Sequence, residues 1–183
     1  MSKILSKLKK VSELTLKSIN TLLAKSNHDE SFRSAIEDAG NVYLGQILEV
    51  PSPDKKISLQ EIKEQTKDRK PHVEDAFAVM RSRSPKLMAD PEHFLLWRGT
   101  EIVPPLKSLR DAAKGFAYAQ TLADPDGTRR RYPLVYQYED IVLPSLALTM
   151  VSNRLGVPIE NVEVHPGKYI LIPNAQVKGG AVK

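Results

Sequence analysis

Residues 115–156 read GFAYAQTLADPDGTRRRYPLVYQYEDIVLPSLALTMVSNRLG, and this stretch has the sharpest hydrophobic patterning in the chain. Apolar and aromatic residues recur at every second position from Gly115 to Thr121 and again from Arg130 to Tyr138, which is typical of strands. The run from Leu143 to Arg154 is apolar at helical spacing, has a proline at its start and is followed by a glycine, which favours a helix. We therefore expect two strands and then a helix.

The residues between the two predicted strands favour a tight turn. Asp124 and Asp126 can accept hydrogen bonds from nearby backbone amides, the proline between them fixes φ, and Gly127 accepts a positive φ. Paired aspartates also suit a calcium ion, but no third acidic residue or glutamate follows at the spacing of an EF-hand loop. The sequence thus predicts a hairpin built on an Asp-x-Asp-Gly turn, and no metal.

Three consecutive arginines, Arg129, Arg130 and Arg131, follow this turn. Side chains alternate along a strand, so Arg129 and Arg131 are expected on one face and Arg130 on the other. An inward arginine either pairs with an aspartate of the turn or with Glu139, or binds an anionic ligand through its fork of donors. Pairing is favoured because arginines beside a turn commonly brace it. Ligand binding by these three arginines is the alternative.

Upstream of this stretch the pattern alternates between helix and strand. A short helix is predicted from Asn27 to Gly40, a buried strand from Asn41 to Val50, and another helix from Leu106 to Ala113. Residues 54–105 are highly charged and broken by prolines, so we expect a charged helical excursion of short helices and loops.

Downstream, two short strands are predicted at Asn161–Val164 and Lys168–Pro173, joined by a turn at His165-Pro166-Gly167. Residues 176–183 are glycine-rich and are expected to be a frayed tail. The predicted fold is therefore α/β (α+β), with a mixed sheet of about five strands flanked by helices, in one domain over residues 27–175.

Residues 1–26 form a separate segment in this prediction. Their leucines and isoleucines recur at helical spacing with lysines opposite, so a long amphipathic helix is expected. Packing of this helix on the domain or on a second copy of the chain is favoured over binding to a membrane surface, because its polar face is rich in serine and threonine. A homodimer through this helix is therefore one of the two arrangements expected.

The bulk composition excludes several classes of protein. The chain has 183 residues, 41% of them hydrophobic, and no cysteine, so it can form one domain but no disulfide or thiolate site. The net charge of +5 permits nucleic acid as a partner, but the aromatic residues do not interleave with the basic clusters, so that partner is not expected. No run of apolar residues is long enough for a membrane span, and the N-terminus lacks the apolar core of a secretory signal.

No set of catalytic groups can be assembled from the sequence. The histidines do not form the helical pair that a zinc site uses, and Ser145 lacks the Gly-x-Ser-x-Gly elbow of a nucleophile. A serine capping the helix that follows is the simpler interpretation of Ser145. There is no glycine-rich phosphate loop either. We therefore expect neither enzymatic activity nor a cofactor. The four histidines are His28, His72, His93 and His165.

The order of motifs in the C-terminal half resembles that of the CHASE sensory domains of type two. These are extracytoplasmic modules of bacterial membrane receptors whose cytoplasmic ends are adenylate or guanylate cyclases, histidine kinases or serine/threonine kinases. The resemblance covers roughly residues 29–173. The motifs are Gly115-Phe116-Ala117, Asp124-Pro125-Asp126-Gly127, the arginines with Tyr132-Pro133-Leu134, Pro144-Ser145-Leu146-Ala147-Leu148, and Leu155-Gly156.

This resemblance implies a non-catalytic, extracytoplasmic domain that receives a small-molecule or protein signal for a cytoplasmic output domain. The family normally begins with a transmembrane helix and an apolar strand and continues into membrane spans, so we expect a module truncated at both ends. The alternative is a soluble basic binding or scaffold protein that contacts nucleic acid or anionic membrane through residues 1–25. A hydrolase or transferase ranks third.

Overall fold

The computed structural model describes most of the chain from residue 28 onward. Before it, only Thr15, Lys17 and Ser18 are described, each exposed and with helical backbone, so the predicted long helix of residues 1–26 otherwise lies outside the described residues. The main described ranges are 28–51, 58–67, 69–90, 96–121, 123–124, 126–177 and 180–181.

Five helices are described beyond residue 27, and three of them begin with a recognisable signal. Ser58 and Glu61 form a capping box at the start of α2, Pro71 opens α3, and the Ser145 side chain caps α5. The helices are α1 His28–Ala39, α2 Leu59–Gln65, α3 Pro71–Ser82, α4 Lys107–Ala112 and α5 Leu146–Arg154, and a 3₁₀ helix follows at Ile159–Asn161. The predicted helices at 27–40 and 106–113 are confirmed.

The strands divide into four small sheets in the described part of the chain. Their bounds are β1 Tyr43–Glu49, β2 Lys86–Leu87, β3 Glu101–Val103, β4 Gly115–Tyr118, β5 Val135–Tyr138, β6 Ile141–Pro144, β7 Glu163–His165, β8 Tyr169–Leu171, β9 Gln176–Val177 and β10 Gly180–Ala181. The sheet orders are β3-β1-β4, β2-β7-β8, β5-β6 and β10-β9. The α+β class is therefore confirmed, whereas the single mixed sheet of about five strands is not found.

Strand β1 is the centre of the first sheet. It pairs parallel with β4 and antiparallel with β3. Beyond the end of β4 the side-chain amide of Gln120 takes over the pairing, because its Oε1 accepts from the Leu48 amide at 2.9 Å and its Nε2 donates to the Leu48 carbonyl. A side chain thus satisfies backbone groups at the end of the parallel ladder.

The predicted hairpin between the glycine-led strand and the arginine strand is wrong. β4 pairs with β1, while β5 pairs with β6 through a two-residue turn at Glu139-Asp140. The strand predicted from Arg130 begins only at Val135. Residues 141–144 form β6, although Leu143 and Pro144 are predicted to begin the helix. Glu139 adopts a φ of +51°, which a glutamate rarely does, so the sequence carried no ordinary signal for this turn.

Two arginines hold the β5–β6 turn against the helices. Arg69, whose side chain is 11% exposed, pairs with Glu139 and lies 4.0 Å from the centroid of the Phe77 ring. Arg81 contacts both carboxylate oxygens of Asp140, at 2.6 and 2.8 Å. These charge-assisted contacts explain how the turn keeps its unfavourable backbone conformation.

The main core lies between the first sheet, α3 and the β5–β6 hairpin. Alternate residues of paired strands share a face, so Leu48 and Tyr118 face α3 while Tyr43 faces α5, whose Asn153 donates to the Tyr43 hydroxyl at 2.9 Å. The expected excursion at 54–105 supplies α3 and β3 to this core. The buried core residues are Leu48, Ala76, Phe77, Met80, Ile102, Tyr118, Tyr136, Tyr138, Ile141 and Leu143.

Candidate functional site

Three of the sequence motifs meet at Tyr118. Tyr118, the last residue of β4, forms an isolated parallel bridge with Ser145, and its hydroxyl donates to the Pro133 carbonyl. The Ser145 amide in turn donates to the Leu134 carbonyl at 2.8 Å. The glycine-led strand, the Pro-Leu pair and the Pro-Ser helix start are therefore joined by hydrogen bonds, although they are separated in sequence.

The environment of this junction is buried. Tyr118 and Ser145 have no exposed surface. Burial, together with the neighbouring Tyr136 and Tyr132 hydroxyls, raises the pKa of Tyr118 well above its usual range. Ser145 Oγ accepts from the Leu148 amide at 3.1 Å, so the prediction that Ser145 caps the helix is confirmed. The junction holds secondary structure together.

The Asp-x-Asp-Gly segment forms a turn, but it joins no strand pair. The Gly127 amide donates to the Asp124 carbonyl at 2.8 Å, and Gly127 has a φ of +79°. Arg130 lies within 3.1 Å of Asp124 and 2.7 Å of Asp126. The hydrogen bonds from Arg130 and then from the Thr128 amide lower the pKa of Asp126. Arg130 thus braces the turn, as the pairing interpretation has it.

The other two arginines behave differently from Arg130. Arg129 and Arg131 are exposed and form no ion pair within the described residues. All three arginines lie in irregular backbone before β5, so the predicted alternation of faces does not apply to them. None of them lines the cavity described below.

The histidines and carboxylates do not converge. No group of three or more residues of the metal-ligating types lies together in the part of the chain that the structure describes. His165 contacts Glu163 at 3.4 Å and the Tyr169 ring at 4.4 Å between centroids, within the turn between β7 and β8. His28 and His72 are exposed, and His93 lies outside the described residues.

A cavity of about 340 Å³ lies beside β4. Its walls come from β4, the last residues of β6, the side of α5, the C-terminal end of α3 and the segment from Gly156 to Glu160. The volume is at the lower end of the range for small-molecule sites. Together with Gln46 of β1, these segments enclose one concave site.

The floor and the mouth of this cavity differ in chemistry. The floor is buried and mainly apolar, with Met80, Leu143, Val157 and Ile159 among its residues. The mouth carries the exposed side chains of Arg83, Lys114 and Glu160. Apolar walls with a few polar groups are typical of ligand sites.

A buried glutamine lies among the polar side chains that line the cavity. Gln46 on β1 is 3% exposed and lines the cavity. Its Oε1 atom is buried and has no hydrogen-bond partner. An unsatisfied buried amide costs about 1–3 kcal/mol, and such groups in native proteins usually have a reason to persist. A ligand with a hydrogen-bond donor would satisfy it.

The sequence contains one signal for this site. Gln46 stands in the middle of the predicted buried strand, where a polar residue is unusual. Arg83, Lys114 and Glu160 carried no signal, because they lie on three separate segments that only the tertiary structure brings together.

Comparison with known proteins gives no relative for this chain. No family model, no curated protein and no solved structure matches it. Within the described residues, no helix combines the length and the apolar character needed to cross a bilayer. The function is therefore argued from the site itself.

Proposed function

We propose that this chain is the signal-receiving domain of a bacterial membrane receptor, located outside the cytoplasm, and that it binds its signal in the cavity beside β4. It has no catalytic activity of its own in this proposal. A second copy of the chain and a cytoplasmic cyclase or kinase domain are its proposed partners.

The observation that carries the proposal is the buried, unsatisfied amide of Gln46 in an apolar cavity with a charged mouth. This arrangement suits reversible binding of a small polar molecule. The polar groups around it have structural partners: Thr149 Oγ1 donates to the Ser145 carbonyl at 3.0 Å, and Asn153 donates to Tyr43. This geometry supports a binding function better than it supports a catalytic one.

The position of the cavity also supports a signalling role. The cavity is lined by Phe116 and Ala117 of β4 and by Thr149 and Asn153 of α5. These two elements are joined next to the cavity by the bridge at Tyr118. A ligand therefore contacts both elements at the point where they are connected, and a preference for one spacing shifts the equilibrium between two arrangements.

The proposal is tested by grafting the chain in place of the sensory domain of a membrane-bound adenylate cyclase. Cyclase output is measured in cells grown in rich and in minimal medium. We expect the native graft to give different outputs in the two media, and Arg83→Glu at the cavity mouth to abolish that difference. Arg129→Glu is the matched control, because Arg129 is also exposed and lies outside the cavity.

Two results would count against the proposal. Equal output in both media for the native graft, Arg83→Glu and a graft lacking residues 115–160 would show that the domain transmits nothing. If Arg129→Glu loses the response and Arg83→Glu retains it, the signal binds at the arginine segment after the turn and not in the cavity.

A further inference from the structure

We infer that the ligand of this cavity is a small zwitterion of the amino-acid type, with a carboxylate at the mouth, a hydrogen-bond donor at Gln46 and an apolar side chain on the floor. This inference deepens the proposed function and rests on it. The proposal concerns the class of ligand and follows from the charges, the orphaned amide and the lining of the cavity.

The charges at the mouth are unpaired with each other and with their neighbours. Arg83, Lys114 and Glu160 form no ion pair within the described residues, and Lys114 Nζ lies 5.9 Å from the centroid of the Tyr43 ring. Arg110, by contrast, pairs with Asp75. Two cations and one anion at one mouth suit a ligand that carries charges of both signs.

The balance of these charges selects among anions. A phosphate monoester carries about −1.5 to −2 at neutral pH, which exceeds the net single positive charge of the three mouth residues. A carboxylate carries one charge and matches the fork of Arg83 with two parallel hydrogen bonds. The ammonium group of the same ligand, which donates to Gln46, would also balance the charge of Glu160.

The buried part of the cavity requires a donor and an apolar group. Gln46 Oε1 can only accept hydrogen bonds, so its missing partner is an N–H or O–H group. Beyond it the walls are formed by apolar side chains such as Met80, Phe116 and Ile159. An amino acid with an apolar side chain supplies all three features within a cavity of about 340 Å³.

The inference is tested with purified chain by thermal shift and titration calorimetry. The probes are L-amino acids with apolar side chains, the corresponding amines that lack the carboxylate, the corresponding acids that lack the amino group, and inorganic phosphate. We expect at least one amino acid to raise the melting temperature at millimolar concentration. The amine, the acid and phosphate should each bind about tenfold more weakly or not at all.

Two variants locate the binding site. Gln46→Leu is expected to weaken the binding amino acid about tenfold, because a hydrogen bond is lost. It should keep or raise the urea midpoint of the free protein, because the orphaned amide is removed. A merely structural glutamine would show the opposite, with a lower midpoint and unchanged affinity. Arg83→Gln should also weaken binding about tenfold, while Arg129→Gln should leave the affinity within about twofold.

Three results would overturn the inference. These are no melting shift with any amino acid, equal binding of the acid without its amino group, and equal binding by native chain and Gln46→Leu. None of these results decides the proposed function, which the cyclase graft tests separately. A graft that still responds to the medium, and loses that response in Arg83→Glu, would indicate a sensor for a ligand of another class.

Discussion

The contact between Gly99 and Leu48 allows the core packing to be tested with a single added methyl group. A Cβ at Gly99 would come within 2.3 Å of Leu48 Cδ1, 2.7 Å of Cγ and 2.9 Å of Cδ2. Leu48 is fully buried in the main core. The Gly99 amide donates to the Gln137 carbonyl at 2.9 Å, which restrains the backbone from moving away. Gly99→Ala therefore forces Leu48 out of its position.

The cost of this change follows from overpacking. Gly99 does not have a positive φ, so its backbone accepts alanine without strain. Overpacking of a core typically costs about 1–3 kcal/mol, and about 1 kcal/mol lowers the melting temperature of a chain of this size by roughly 2–4 °C. We expect Gly99→Ala to lower the melting temperature by about 2–12 °C and the free energy of unfolding by about 1–3 kcal/mol.

The assay is urea unfolding of a double-mutant cycle. Leu48→Ala alone should cost about 2–5 kcal/mol by leaving a cavity. Together with Gly99→Ala it should cost less than the sum, because the new methyl group then occupies part of that cavity. Gly127→Ala is the control: no atom lies within 4 Å of its Cβ, so only its φ of +79° opposes it, and it should be additive with Leu48→Ala. If the effects of Gly99→Ala and Leu48→Ala on the free energy of unfolding add within about 0.5 kcal/mol, the close contact between these two residues is refuted.

Four further predictions concern side chains elsewhere in the fold. Tyr136→Phe removes a buried hydroxyl without a partner and should raise the free energy of unfolding by about 1 kcal/mol, whereas Tyr118→Phe breaks a hydrogen bond and should lower it by about as much, both measured in urea. Because burial raises the pKa of Tyr136 to about 12, the unfolded chain loses this phenolic proton before the native chain does, so ionisation of Tyr136 leaves the free energy of unfolding unchanged below about pH 10 and lowers it as the pH rises to about 12; tyrosinate absorbance during alkaline unfolding should show this loss, and Tyr136→Phe should reduce it. Arg69→Ala should cost about 3–5 kcal/mol because it leaves a buried carboxylate unpaired, whereas Arg81→Ala, at a half-exposed pair, should cost at most about 1 kcal/mol; equal chemical denaturation midpoints for these two variants would contradict the burial difference. Ser145→Ala should lower the stability by about 0.5–2 kcal/mol through loss of the helix cap, and an unchanged melting temperature would contradict that role.

Much of the secondary structure could be predicted because it depends on local signals. The helix at 28–39 ends at Gly40, whose φ is +63°, and β1 follows as a run of apolar residues. The strands β7 and β8 flank a turn at Gly167, again with a positive φ. In each case the residues that fix the backbone stand next to the element that they terminate.

The pairing of strands could not be predicted, because the deciding contacts are distant in sequence. The turn at Glu139-Asp140 contains no glycine or asparagine and is held by Arg69 and Arg81, which lie 70 and 59 residues earlier. The Asp-Pro-Asp-Gly segment carries the stronger local signal and does form a turn, yet tertiary packing places β4 beside β1 instead. Local turn chemistry therefore located the turn but not its partners.

The cavity and the junction at Tyr118 both involve strand β4, so the free energy that could couple them can be estimated. Ala117 lines the cavity, and the next residue, Tyr118, carries the bridge to Ser145 and the hydrogen bond to Pro133. A ligand that prefers one spacing of β4 and α5 tenfold contributes about 1.4 kcal/mol to that arrangement. A single hydrogen bond contributes about 0.5–1.5 kcal/mol to stability. In the proposed signal-receiving role, a tenfold preference would therefore match the contribution of one hydrogen bond at this junction.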